Sequence, residues 1–382
     1  MSSTLINNII LQKQRLATHS WEYGALAEVL LEWYTPNASV FGGNPFPDGR
    51  IPVIQVDTTP SLSYVKRHIS TNSDTLIDGD GMLLRKEDPV TGIFPPFHQT
   101  SSLAGAAGGP ASLGVYAILI GQTQDDYLSA AEPQVNYLLT AVPRYTNGAI
   151  SHRESVAELW ADFIYMAPPT LAYWAIQTDD AGLLATALQQ CILYRDVLGV
   201  PANAKSAAGL WHHIVGPQSQ DLGIWSTGNA WAAAGMSRVL ATATKSRHSG
   251  DTKVKSGIAQ VKDIVKAILD GAIARDNAEP GEPLLGNYLN DTTWFGELSG
   301  TTLLTATAYR MARLEPREFG PRYTEWADSK REVIMKKISS DGLLSPVVNP
   351  LNWGDRTPRK ESPEAQSFAI LMLAAHRDFT SR

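Results

Sequence analysis

The sequence predicts an all-α protein, an (α/α)6 toroid whose six helical hairpins form an inner and an outer ring. Two patterns carry this. Helical periodicity runs through nearly the whole chain, with strand-like alternation almost absent. The helices also alternate in character. Those in even positions are apolar on most sides and rich in Ala, Gly and Ser, as in Gly228-Asn-Ala-Trp-Ala-Ala-Ala-Gly-Met236 and Ser299-Gly-Thr-Thr-Leu-Leu-Thr-Ala-Thr-Ala308. Those in odd positions are amphipathic, as in Asp126-Tyr-Leu-Ser-Ala-Ala-Glu-Pro-Gln-Val-Asn-Tyr-Leu-Leu139. A helix apolar all round is buried and one with a polar face lies outside, so the even helices form the inner ring.

Spacing and end signals place twelve helices over 3–16, 24–34, 59–71, 111–120, 126–142, 160–177, 180–198, 228–245, 253–273, 298–314, 321–338 and 362–379. Residues 38–58 and 73–110 are Pro/Gly-rich loops, and 73–110 is long enough to form a lid or wall near a pocket mouth. Apolar and aromatic residues are interspersed through both, unlike a flexible linker, so residues 1–382 are expected to form one domain.

Of the 382 residues 43% are hydrophobic and 18% charged, enough apolar material for a large core. Ten Trp and thirteen Tyr either line a cleft for ring-shaped ligands or fill that core. The net charge is −6, and basic residues cluster only in short groups such as Lys253-Val-Lys255 and Lys336-Lys337, which excludes a phosphate-neutralising surface and with it nucleic acid as partner. Cys191, the one cysteine, permits no internal disulfide and reads as a small buried hydrophobe. The first fifteen residues lack the basic and apolar regions of a signal peptide, and no stretch suits a membrane span; a cytoplasmic protein with no membrane partner is expected.

The polar and aromatic motifs all stand just before even-numbered helices: Trp21-Glu-Tyr-Gly24, His98-Gln-Thr100 with the glycines to Gly109, Asn147 to Arg153, Gly209-Leu-Trp-His-His213 with Trp225 to Asn229, Thr293-Trp-Phe-Gly-Glu297, and Glu361-Ser-Pro-Glu364. In a toroid the inner helices start at one mouth, so these motifs converge on one pocket with helix dipoles aimed into it.

Asp162 is the leading candidate within it. It is a lone carboxylate in the apolar run Glu158-Leu-Trp-Ala-Asp-Phe-Ile-Tyr-Met-Ala-Pro-Pro169, a setting that suits a general acid or, more plainly, a helix cap. His152 either binds ligand and tunes that acid or braces its loop. Of His212 and His213, adjacent in sequence, at most one faces the pocket, and neither has a metal-ligand partner at usable spacing, so no metal is expected. Trp211, Trp225, Trp231 and Trp294 are candidates for stacking on a ligand, with core packing the alternative. Glu297 and Glu364 are either second carboxylates or acceptors for backbone at a helix start. Asn229 and Thr227 belong to the same candidate surface.

The runs Gly148-Ala-Ile-Ser-His-Arg153, Glu158 to Pro169 and Trp225-Ser-Thr-Gly-Asn-Ala-Trp231 resemble the six-hairpin glycosidases, and within them the unsaturated uronyl hydrolases of glycoside hydrolase families 88 and 105. The likeness is to the fungal branch often labelled unsaturated rhamnogalacturonyl hydrolase. It runs from Trp21 to Pro363, with Ser345-Pro-Val-Val-Asn-Pro350 and Glu361 to Glu364 also fitting. The resemblance implies that Asp162 protonates the vinyl-ether double bond of a 4,5-unsaturated uronic acid; water then adds, and the hemiketal collapses to release the neighbouring sugar. It implies no metal or organic cofactor, and it puts His152, His212 or His213, and Trp231 where the family contacts substrate. Two positions depart from the pattern. The family's second acid, before the Pro-Ala-Ser-Leu-Gly helix start, is Gly109 here. The arginine with which bacterial members pair the substrate carboxylate is Thr227 here, a charge-assisted contact of about 1.5–3 kcal/mol.

Three functions fit the sequence: a hydrolase of short unsaturated uronic-acid oligosaccharides; a repurposed barrel acting as a cyclase, pericyclase or dehydratase on a hydrophobic natural-product intermediate; and a non-catalytic carbohydrate-binding protein. The first two take a small-molecule substrate, oligosaccharide or hydrophobic metabolite, and the character of the pocket rim distinguishes them.

Overall fold

Apolar periodicity and the end signals translate into helices close to the expected positions. The computed structural model describes residues 3–71, 105–201, 203–204, 207–281 and 283–381. In chain order its helices are α1 (Ser3–Leu16), α2 (Ser20–Tyr34), α3 (Pro60–Val65), α4 (Gly108–Ala111), α5 (Gly114–Gly121), α6 (Asp125–Thr140), α7 (Phe163–Thr178), α8 (Ala181–Leu198), α9 (Ser226–Lys245), α10 (Thr252–Ala278), α11 (Leu298–Leu314), α12 (Pro321–Lys336) and α13 (Pro363–Thr380).

The apolar helices close a ring. α2 packs on α4, the α4–α5 pair on α7, α7 on α9, α9 on α11, α11 on α13, and α13 back on α2. Around it, α3 lies on α2, α6 on α5, α8 on α7, α10 on α9, α12 on α11, and α1 on α13. The protein is an all-α (α/α)6 toroid. Each inner helix buries large apolar side chains, among them Leu26, Leu119, Leu171, Leu240, Leu304 and Phe368. Each such burial contributes roughly 1.5–3 kcal/mol, which is why the inner helices need no polar face. No described helix is long and apolar enough to cross a membrane.

The differences from expectation have local causes. α2 starts at Ser20 rather than 24, because the Glu22 carboxylate folds back to accept from the backbone N–H of Thr18 (2.6 Å) and His19 (3.0 Å). The helix expected over 111–120 is broken into α4 and α5; Ser112 between them donates to the carbonyls of Gly109 (2.6 Å) and Ser20 (3.0 Å). The helix expected over 59–71 ends at Val65 and gives way to one 3₁₀ turn, Lys66–His68. That expected over 160–177 starts at Phe163, because Leu159–Trp160 (β1) pairs antiparallel with Ile214–Val215 (β2). Residues 72–104, including most of the expected 73–110 loop and His98, lie outside the described residues.

α7 carries Pro168 and Pro169 in its interior. Pro169 has no N–H to give the carbonyl of Tyr165, four residues back, and Arg238 Nη1 from α9 donates to that carbonyl instead (3.3 Å). A sequence-local defect is thereby repaired across the ring.

Candidate active site

Five of the six inner-ring positions begin at one cleft. Trp21 comes from the start of α2, Gly109 from α4, Asp162 from the residue before α7, Trp225 from the residue before α9 and Glu364 from the start of α13. The cleft encloses about 560 Å³, part of it open to solvent, and is completed by the loops carrying His152, Arg153, Trp160, His213 and Pro350 to Trp353.

The β1–β2 ribbon sets the centre. Its register pairs Leu159 with Val215 and Trp160 with Ile214, and the Ala161 N–H donates to the His213 carbonyl (3.0 Å), so Asp162 and His213 emerge side by side. Asn229, at the start of α9, fixes the second strand. Its Oδ1 accepts from the Trp211 N–H (2.8 Å), and its Nδ2 donates to the carbonyls of Trp211 (3.0 Å) and Trp225 (2.9 Å).

Asp162 stands at the N-cap position of α7, yet its side chain makes no capping hydrogen bond. It is 8% exposed, and its Oδ2 lies 3.4 Å from His213 Nε2. On the other side of the imidazole, Nδ1 is 3.0 Å from Asp221 Oδ2, and Asp221 is held in turn by the Tyr288 hydroxyl and the Gly223 N–H (2.9 Å). Burial works against a charged His213, but hydrogen bonds and the charges of Asp162 and Asp221 outweigh it and raise its pKa. Burial likewise disfavours the Asp221 carboxylate, but His213 and Tyr288 override it and bring the pKa down to about 2. The site thus sets an imidazole of raised pKa between two carboxyl groups.

His152 behaves oppositely. Burial, then the charges of Arg153 and His213, push its pKa well below the ordinary value, and its ring stacks on Trp160 at 4.8 Å. The approach of α4 leaves little room: a Cβ at Gly108 would lie 2.8 Å from His152 Nδ1. A Cβ at Gly109 would lie 2.8 Å from Ser20 Oγ, so no side chain of any kind is accommodated there without a shift. Arg153 stacks over the Trp160 ring at 4.6 Å and lies 3.7 Å from Glu158. Glu158 also accepts from Trp160 Nε1 (2.7 Å) and from the backbone N–H groups of Gln218 (2.8 Å) and Ser219 (2.6 Å). Trp353 packs edge-on against Trp160 (5.3 Å) and His213 (4.9 Å), closing an aromatic wall with Trp225.

Of the residues singled out from sequence, the cleft brings together Asp162, His152, His213 and Trp225, with Glu364 and Gly109. The others lie elsewhere. His212 points away, its Nδ1 2.6 Å from the Leu222 carbonyl. Trp211 and Trp231 are buried, Trp231 against Tyr165 (4.5 Å) and Phe368 (4.7 Å). Thr227 is fully buried and donates to Glu297 Oε1 (3.2 Å). Glu297 caps α11, accepting from the N–H groups of Ser299 and Gly300 and from Ser226 Oγ (2.8 Å). Trp294 sits beside Tyr288 (5.2 Å) under Arg356. Ligand contact from Trp211, His212, Thr227, Asn229, Trp231, Trp294 and Glu297 therefore does not follow from the geometry; the buried ones brace the cleft. Arg153, Trp160, Asp221, Tyr288 and Trp353 were not singled out. Arg153 and Trp160 stand inside the runs Gly148–Arg153 and Glu158–Pro169, but Asp221 meets His213 through the Ile214–Asp221 bridge, which no sequence spacing announces. Among the described residues no group of three or more His, Cys, Asp or Glu side chains gathers as a metal site.

The profile of Glycosyl Hydrolase Family 88 matches residues 111–270, from α4 through most of α10. A search of the curated proteins returns no match. Among solved structures, a possible member of the GH105 family from Klebsiella pneumoniae superposes with a TM-score of 0.68 at 15% identity, covering 97% of this chain and 91% of that one. A family 88 glycosyl hydrolase from Bacteroides vulgatus gives 0.64 at 14% identity, over 98% and 97%. An unsaturated glucuronyl hydrolase responsible for glycosaminoglycan degradation, from Bacillus sp. GL1, gives 0.52 at 14% identity, over 71% and 74%. The ring topology and these superpositions agree on the six-hairpin toroid fold, and the profile match falls within it, over residues 111–270.

Proposed function

We propose that the protein is a glycoside hydrolase acting on short oligosaccharides that end in a 4,5-unsaturated uronic acid, with Asp162 as proton donor. The observation that carries this reading is the Asp162–His213 pair in an aromatic-walled cleft: a carboxyl group relieved of any capping duty, next to an imidazole whose pKa its carboxyl neighbours raise. The profile match and the neighbouring hydrolases support it.

The chemistry needs a proton at C4 of the double bond. Positive charge then develops at C5 and the ring oxygen, where water adds, and the hemiketal opens with release of the neighbouring sugar. The added water returns its proton to the Asp162–His213 pair, so one water is consumed and the enzyme is restored. Arg153, 5% exposed and in the cleft wall, is the guanidinium that meets the substrate carboxylate, a role that Thr227 is too deeply buried to take. Trp160, Trp225 and Trp353 provide faces for the sugar.

One observation favours a second reading. Pro350, Leu351 and Trp353 make that side of the rim apolar, with Leu351 43% exposed, which suits a hydrophobic metabolite. The test is loss of the ultraviolet absorbance of the conjugated double bond on 4,5-unsaturated uronyl disaccharides, with Asp162→Asn as control. The expected result is decay with the wild type and none with the variant. Flat traces for both across several disaccharides contradict the hydrolase and favour the hydrophobic substrate.

A further inference from the structure

Glu364 opens α13 inside the cleft, 4% exposed. Its Oε1 accepts from Trp21 Nε1 (3.3 Å), while its Oε2 has no hydrogen-bond partner among the described residues. A buried carboxyl group with one oxygen unsatisfied costs about 1–3 kcal/mol unless something completes it. The neighbouring groups come from three elements: Asp162 ahead of α7, Glu22 with Trp21 on α2, and Lys13 on α1. Burial, then repulsion from Asp162 and Glu22, raises the Glu364 pKa well above the ordinary carboxylate value; Lys13 and the Trp21 N–H oppose this and lose. Lys13 is itself depressed to about 8 by burial. The two carboxyl groups of the cleft are therefore unlike. Asp162 faces the His213 imidazole, and Glu364 faces an indole, two further carboxyl groups and Lys13.

Building on the reading of the cleft as a sugar-acid site, we propose that Glu364 is a second ligand-contacting side chain, donating its carboxyl O–H to an oxygen of the bound sugar. Rotation about the last side-chain torsion, which is broad for Glu, presents Oε2 to the cleft without moving the backbone. A sugar hydroxyl or ring substituent then supplies the partner for Oε2. Trp21, by holding Oε1, orients the donor.

The test compares Glu364→Gln with Glu364→Ala on the disaccharide that the wild type turns over. Gln keeps the Trp21 contact and offers an N–H donor where the O–H stood. The expected outcome is a fall in kcat/KM of less than about tenfold for Gln and of about 100-fold for Ala, the size expected for one lost donor, with matching thermal midpoints. Gln as inactive as Ala overturns the donor role, because then a titrating carboxylate is required; Ala as active as wild type overturns any ligand contact. If Glu364→Ala does not fold, or if the wild type turns over no unsaturated disaccharide, infrared difference spectra of wild type against Glu364→Gln decide. A buried carboxylic-acid C=O band at pH 7, shifted by a saturated uronyl disaccharide, supports the proposal. A carboxylate signal in its place, or an acid band that no uronyl sugar moves, overturns it. Loss of turnover by the wild type itself counts against the hydrolase reading, whereas the infrared band reports on Glu364 alone.

Discussion

Along the inner helices, away from the mouth, Glu28 and Glu32 of α2 each face a guanidinium: Arg238 Nη2 lies 2.9 Å from Glu28, and Arg310 Nη2 lies 2.6 Å from Glu32 while its Nη1 reaches Asp378 at 2.7 Å. At the mouth, Asp162 stands 3.4 Å from an imidazole and Glu364 faces no guanidinium among the described residues. Both regions bury carboxyl groups in the same ring. In the first, guanidinium groups within hydrogen-bonding range of the carboxyl groups make the cluster a brace that ties α2, α9, α11 and α13 together. In the second, incomplete pairing leaves carboxyl oxygens ready for a ligand. The polarity of buried groups is alike in the two places; the completeness of their partnering separates framework from site.

That contrast is broken most directly at Asp162. Asp162→Asn is expected to lower kcat by at least about 1,000-fold, the scale of a lost general acid, with little change in thermal midpoint. Steady-state rates beside a melting curve check both halves. The brace should respond inversely. Arg238→Ala strands Glu28 in the interior and frees the Tyr165 carbonyl, so denaturant titration should show a loss of about 3–5 kcal/mol, with the folded fraction retaining its turnover.

Arg153→Gln removes the guanidinium from the cleft wall and is expected to raise KM by about 10- to 100-fold, equivalent to 1.5–3 kcal/mol, while kcat changes less. Equal losses in kcat and KM effect would move Arg153 from binding to bracing. The smallest effect belongs to Asp221→Asn, which sharpens the account of His213. The raised His213 pKa contributes stability that is full below the ordinary value of about 6.5 and is lost as pH rises through the raised value. The lowered Asp221 pKa contributes stability that is present above its ordinary value of about 3.9 and is lost as pH falls toward 2. The penalty of Asp221→Asn is therefore expected to be greater at pH 5.5 than at pH 9, and NMR titration should place the His213 midpoint lower in the variant.

Much of the ring was legible because burial on every side leaves an unbroken apolar record: α1 and α11 fall at the expected residues, and most other ends shift by a few. The misplaced ends have causes that act between segments. Ser112 answers to Ser20, and β1 pairs with a strand more than fifty residues away. The site divides in the same manner. Asp162 stood out as a carboxylate in an apolar run. Glu297 and Asn229 read as ligand contacts because a polar side chain near a helix start looks alike whether it binds a ligand or backbone. In the fold Asn229 bonds the Trp211 backbone, and Glu297 accepts from the first N–H groups of its own helix. Asp221 and Trp353 carried no local signal, since their partners arrive from the ribbon and from a loop.

Hydration and displacement at the glycosidic carbon leave solvent hydrogen in different places, so isotopic labelling separates them. Turnover of a 4,5-unsaturated uronyl disaccharide in deuterium oxide, followed by NMR and mass spectrometry of the released acid, should find one deuteron on carbon 4. A released acid that keeps its double bond, with no deuterium on carbon, would contradict the account.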